Sequence, residues 1–336
     1  MSKPVYVGVD DGHYAVKVVT ESGEMFSVPS RARSGRQIIS WQEQGEDGGF
    51  YTTEEGGVFT VHRHMQNPED TRFKEFPKSA LNRVLVHHAL RMAGFGGADV
   101  IIATGLPVSY YYLANGRRDD ALIAAKKANL AKGVTCGSKP LANIVRNMVA
   151  TEAIAAYFDQ LMDMEGNPTP EYAVLGEATV GVIDIGGKTT DCAVVFPGGE
   201  HVDAERSGSS DTGVLMLNDA VESRLRQLFD LDNVPPTLVE AAIATGVVKI
   251  AGEEKDVRDT VIFEKERLAD QIMSGVRTKI GNGKDLETVL FVGGGAIVMR
   301  DQLARHFPHC RFPDRPEFAN ARGMLKIAKY VFGGEA

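Results

Sequence analysis

Positive charge is in short supply in this sequence. Its 336 residues carry 37 Lys and Arg against 45 Asp and Glu, a formal net charge of −8. No strong basic field is left to hold a phosphate backbone, so direct, non-specific DNA or RNA binding by the free monomer is disfavoured, although an adaptor could supply it. Cysteine is scarce as well. Cys136, Cys192 and Cys310 are odd in number and widely spaced, which fits neither a disulfide framework nor a zinc module and points to a reducing cytoplasm. Long apolar runs are missing: no segment reaches the roughly 18 apolar residues of a membrane helix. The opening "MSKPVYVGVD" lacks a basic region followed by a sustained apolar run, and neither end reads as an amphipathic anchor. No low-complexity tract or block of like charge stands out. With 43% hydrophobic and 24% charged residues the chain has the make-up of a folded protein, and its length suits two domains.

What the sequence does contain is a repeat. "GVIDIGGKTTD", Gly181 to Asp191, looks like a phosphate-binding loop, but that motif would require glycine at 182, where valine stands. The chain then enters Cys192 to Phe196, a strand pattern, whereas a P-loop must feed a helix. The P-loop reading fails on context. Laying this segment under "VGVDDGHYAVK" with Asp184 on Asp10 puts Gly186 on Gly12 and Asp191 on Lys17. Each half then opens with an apolar strand, Asp-x-Gly, a tight turn and a second strand. Two such hairpins could grip a polyphosphate from opposite sides with backbone N–H groups.

Around this pair, Met25 to Val28 and Val100 to Thr104 read as strands. Helical spacing marks Ala80 to Ala93, Ala121 to Lys132, Thr212 to Leu228 and Glu264 to Arg277. Residues 42–64 are expected to hold an exposed hairpin on a sheet edge, and residues 166–173, "GNPTPEYA", to be a linker. Thr288 to Val292 forms a strand running into Gly293, Gly294 and Gly295, then a helix near Ile297.

Several side chains are candidates for chemistry. Asp10 and Asp184 end apolar strands before glycine turns, where two carboxylates can orient a hydrated Mg²⁺; singly, each would only bond its own turn. Lys17 and Lys188 could meet phosphate charge, and Thr189 and Thr190 offer hydroxyls and amides. Glu152 follows Thr151 at an apparent helix start, where it either serves the helix dipole or orients an attacking water. The triple glycine lets a nucleotide lie on the backbone at a helix N-terminus, or is merely a tight turn. His87 and His88 point about 100° apart on a helix, which suits one core and one surface position better than chelation.

The ordered set "VGVDDGHYAVK", "ATEAIAAYF", "VIDIGGKTTD", "VGGGAIVM" and "ANARGMLKIAKYVF" resembles the actin, Hsp70 and sugar kinase ATPase superfamily over nearly the whole chain. "VHHAL", "GLPVSYYY" and "KKANL" resemble the ParM/StbA plasmid-segregation actins. The resemblance implies an α/β actin-like ATPase fold, two RNase H-like domains flanking a nucleotide cleft, with residues 1–168 plus 322–336 as one domain and 169–321 as the other. It implies Mg²⁺ and ATP, or GTP, as cofactors, with Asp10 and Asp184 at the metal and Glu152 and Asp184 catalytic. The candidate cofactor contacts are Asp10, Asp11, Gly12, His13 and Lys17 from the first turn, Gly186, Gly187, Lys188, Thr189, Thr190 and Asp191 from the second, and Gly293 to Gly295. His13 departs from the serine or threonine common at that turn, so an imidazole donor or a backbone amide would replace the hydroxyl contact. The function implied is a bacterial cytoplasmic filament that segregates plasmids through a ParR-like adaptor bound to centromeric DNA, without direct DNA or membrane contact. A small-molecule kinase of the same superfamily is the alternative, though no acceptor-site motif is visible. An Hsp70-like chaperone is not expected, because little sequence follows the last motif.

Overall fold

The computed structural model describes residues 3–37 and 48–332, and two five-stranded sheets of the same topology form its scaffold. The N-terminal sheet runs Met25–Pro29, Ala15–Thr20, Val5–Asp11, Asp99–Leu106, Asn143–Thr151. Its C-terminal counterpart runs Gly208–Ser210, Thr190–Val195, Val180–Ile185, Thr288–Val292, Cys310–Arg311. In both, three strands consecutive in the sheet pair antiparallel and two more add in parallel. The alignment of Asp10 with Asp184 is also a structural register: Asp10 faces Lys17 across one hairpin, and Asp184 faces Asp191 across the other. Every residue of Ala15–Thr20 and Thr190–Val195 is buried, which explains their Val- and Ala-rich character in place of a polar alternation.

Helix Ala80–Met92 packs Val84, Leu85 and Ala89 against Val7, Val9 and Val18 of the first sheet. Helices Leu215–Phe229, Pro236–Thr245 and Arg258–Ile280 cover Ile183, Ile185 and Phe291 of the second. Helix Ala319–Lys326 then returns to the first half and lies on Val5–Asp11, Asp99–Leu106 and helix Ile154–Leu161. Two glycines allow that approach. A Cβ at position 8 would sit 2.0 Å from the Ala321 carbonyl oxygen, and one at 323 would sit 1.7 Å from that of Ala155. Asp159 fastens the same contact, accepting from Arg322 Nη2 at 2.7 Å and Lys326 Nζ at 2.6 Å.

Some local expectations change. Strands Gly48–Thr53 and Val58–His62 form the expected hairpin, but they are the middle pair of a separate four-stranded sheet, with Tyr51 fully buried; residues 42–47 lie outside the described residues. The segment 166–173 is a closed turn followed by the short helix Tyr172–Leu175, pinned by a 2.7 Å bond from the Tyr330 hydroxyl to the Met164 carbonyl. His87 and His88 are both buried, His88 Nδ1 lying 2.8 Å from the Tyr51 hydroxyl. Among the described residues, no helix is long and apolar enough to cross a membrane.

Candidate active site

The paired hairpins deliver their carboxylates to one cleft. Asp10 accepts a hydrogen bond from Lys17 Nζ at 2.9 Å. Next to it, Asp11 is held by Lys126 Nζ at 2.8 Å and Asn82 Nδ2 at 2.7 Å. From the other wall, Asp184 accepts from Asn320 Nδ2 at 2.6 Å. Glu152 reaches the same cleft from the end of strand Asn143–Thr151. Its backbone N–H is taken by the Leu106 carbonyl, and the helix beginning at Ile154 has no side-chain cap, so the capping role is not the one Glu152 plays.

Charge in this space is unbalanced. Asp10, Asp11, Glu152 and Asp184 line the cleft with Lys17 and Lys126, so four carboxyl groups crowd against two amines, a formal excess of two negative charges when all are ionised. Burial, reinforced by Asp191 and Asp10, pushes Asp184 up to about 7. Burial and the same kind of crowding, from Asp10, Asp191 and Asp184, raise Glu152 well above the usual carboxylate range. For Lys17 burial opposes the charge, but Asp10, with Asp184 and Glu152, outweighs it and raises its pKa. An excess of two negative charges on oxygen donors suits one hard divalent cation. Among the described residues, no cluster of three or more His, Cys, Asp or Glu could hold a metal by itself, so such an ion would draw its other ligands from water and phosphate oxygens.

The glycines are there for close approach. A Cβ at Gly187 would stand 2.8 Å from the Tyr14 backbone nitrogen and 3.3 Å from His13 Cβ, so the two turns touch across the cleft. Gly293 has φ +82° and would place a Cβ 2.3 Å from Asp184 Oδ1; only glycine fits beside that carboxylate.

Residues 5–163 match the family described as plasmid segregation protein ParM, N-terminal. Residues 182–305 match archaeal actin homologue MreB-like, C-terminal. The fold is actin-like, and the N-terminal half of the chain is similar to that of ParM. Its fold is similar to that of an archaeal actin homolog at 22% identity and a TM-score of 0.75, covering 97% of this chain and 99% of that one; another structure of that homolog is a complex with ADP. A 15-stranded ParM filament from Clostridium botulinum is similar at 19% identity and a TM-score of 0.77, covering 98% and 99%. Bacillus thuringiensis ParM with AMPPNP is similar at 16% identity and a TM-score of 0.69, covering 99% and 100%. No curated protein matches in sequence.

Within the actin-like cleft, Asp10, Asp11, Gly12, His13, Lys17, Glu152, Asp184, Gly186, Gly187, Thr189 and Gly293 come together. The remaining candidates do not line it. Thr190 donates its hydroxyl to the Thr212 carbonyl at 2.7 Å, behind the turn. Asp191 is buried under the turn, where it accepts from the Val108 N–H at 2.8 Å, from Thr189 Oγ1 at 2.9 Å and from the Ser209 hydroxyl. Lys188 turns to the Tyr110 hydroxyl at 3.2 Å. Gly294 and Gly295 are taken up in the short helix Gly294–Val298, Gly295 packing on Ile185. His13 rests on Phe76 with ring centroids 4.8 Å apart, and burial with the nearby Lys188 lowers it to about 4, so the imidazole is neutral. Lys126, Asn82 and Asn320 are the polar residues the sequence reading missed. Asn320 lay inside the quoted "ANARG" stretch and Lys126 inside the quoted "KKANL", neither with a role assigned, whereas Asn82 looked like an ordinary polar position on an amphipathic helix.

Proposed function

We propose that this actin-like protein binds a magnesium nucleoside triphosphate between its two hairpins, ATP in the first instance and GTP as the alternative, and hydrolyses it. Nucleotide turnover would drive assembly and disassembly of filaments of the chain, which move plasmid DNA through a ParR-like adaptor bound at a centromeric site. The observation that carries the reading is the convergence of Asp10, Asp184 and Glu152, from two copies of one hairpin and the strand beside them, on a single cleft. The ADP-bound and AMPPNP-bound relatives and the ParM filament support it.

In this reading Asp10 and Asp184 orient the hydrated cation, which supplies neutralisation of phosphate charge when bound. Lys17 faces the same phosphates from the first hairpin. Gly12, Gly186 and Gly187 bring backbone close to the ligand, and the neutral His13 ring offers an N–H without adding charge. Glu152, brought to the same cleft at the end of strand Asn143–Thr151, is placed to orient the attacking water. We assign residues 1–168 with 322–336 to one domain and 169–321 to the other.

Light scattering and pelleting test the proposal. Wild type is expected to assemble with ATP and Mg²⁺ and then disassemble, while Glu152→Ala assembles and persists. If neither protein pellets and a sugar or organic acid becomes phosphorylated, the small-molecule kinase reading replaces this one.

A further inference from the structure

Glu152 is followed by a backbone conformation that alanine rarely adopts. Ala153 has φ +63° and ψ −48°, and the Ile154 N–H donates to the Glu152 carbonyl at 2.7 Å. This is a γ-turn of the positive-φ kind, which is strained for any residue with a Cβ. Ala153 is fully buried, so solvent does not stabilise the turn. One side chain does: Asn320 Oδ1 accepts from the Ala153 N–H at 3.1 Å. The other end of the same amide, Nδ2, donates to Asp184 Oδ2 at 2.6 Å. Because the Ala153 N–H can only donate and a carboxylate accepts, the amide orientation is fixed by its two partners.

Asn320 therefore touches both walls of the cleft. It lies in helix Ala319–Lys326, which returns from the second half of the chain to pack on the first, and it is 4% exposed. Its two bonds run to the peptide next to Glu152 and to the carboxylate at the end of strand Val180–Ile185. We propose that Asn320 is a positioning residue: its amide holds the strained turn that aims Glu152 while fixing Asp184, so that the two carboxylates keep one relative placement. This rests on the hydrolytic reading above. It adds that the carboxylate pair is set by a third residue lining the same cleft.

The test is a double-mutant comparison of Asn320→Ala, Ala153→Gly and the two combined, read by single-turnover ATP hydrolysis, AMPPNP affinity and melting temperature. Misplacing a reacting group by an ångström costs about 100-fold in rate, and a loss of that order is expected for Asn320→Ala while AMPPNP affinity stays within a few fold. Glycine adopts positive φ freely, so adding Ala153→Gly should recover roughly tenfold of the loss by removing the strain the amide opposes. A helix residue that mattered only for packing would lower melting temperature, affinity and rate together and would not respond to a glycine at 153. That pattern overturns the inference, as does an Asn320→Ala rate close to wild type. Asn320→Leu, which keeps the branched outline without the amide, carries the same expectations if the alanine variant does not fold. An inert wild type overturns the hydrolytic reading itself, a result distinct from either of these.

Discussion

The Tyr14 hydroxyl donates to Glu240 Oε1 at 2.9 Å, joining the first hairpin turn to helix Pro236–Thr245 across the mouth of the cleft. Arg31 binds the same carboxylate oxygen, and Arg72 reaches Asp219 of helix Leu215–Phe229 nearby. Burial beside Glu240 raises the Tyr14 pKa, so the phenol remains a donor at any working pH. These bonds must break for the cleft to open. Glu240→Gln keeps the shape and removes the charge, and part-exposed charged contacts are worth about 1 kcal/mol. Release of a fluorescent ATP analogue should therefore quicken roughly three- to tenfold in stopped flow. An unchanged rate would show that opening is limited elsewhere.

Asp184 should set part of the pH dependence of stability. Its folded pKa is raised from 3.8 to about 7, so between those values the folded state holds a proton that the unfolded chain has released. Its stabilising share is full below the unfolded value and is lost as pH rises through about 7, on the order of 2–4 kcal/mol. Without nucleotide or divalent cation, Asp184→Asn is expected to melt above wild type at pH 8, with the gain shrinking toward pH 5. A gain independent of pH would contradict the assignment.

On the acid side the histidines act in the opposite sense. His13 and His87 are lowered to about 4, in each case chiefly by burial, so the folded protein resists their protonation. Their share of the stability should fall as pH drops from 6.5 toward 4. His87→Gln should flatten that part of the melting profile, and a profile that keeps its full slope would count against the explanation.

Lys126 is 1% exposed and paired with Asp11 at 2.8 Å. Removing one partner of a buried pair strands the other, a loss of about 3–5 kcal/mol. Lys126→Met should thus unfold at clearly lower urea, and adding Asp11→Asn should recover part of the loss. Absence of any recovery would mean that the lysine acts through the Gly105 carbonyl, its other partner.

Gly323→Ala tests the packing of the returning helix. The new Cβ would fall 1.7 Å from the Ala155 carbonyl oxygen, and overpacking of this kind costs about 1–3 kcal/mol. A melting temperature lower by several degrees is expected, and an unchanged one would show that the two helices separate at little cost.

Much of the scaffold was legible because it is local. Strand Thr288–Val292 coincides with its apolar run, and helix Ala80–Met92 ends just before Gly94 at φ +87°. The doubled hairpin could be read from Asp10 and Asp184 because both follow buried Val- and Ile-rich strands and precede glycine. What stayed hidden depends on partners distant in sequence. Nothing near position 190 says that its hydroxyl will bond Thr212 rather than face the cleft, and nothing near Asp191 marks it as the support for Val108 and Ser209. The pairing of Lys126 was hidden for the same reason, since Asp11 is 115 positions away.

The claim beneath all of this is that two copies of one hairpin clamp a cation-bound triphosphate. Equilibrium titration of a fluorescent ATP analogue, with Mg²⁺ and with excess chelator, tests it most directly in wild type and in Asp10→Ala. Wild type should bind the analogue tightly only with Mg²⁺, and Asp10→Ala should weaken that binding by roughly 100-fold while leaving the chelated case nearly unchanged, the scale expected when a buried charged contact is lost. Binding that is the same with and without Mg²⁺, and unaffected by the substitution, would contradict it.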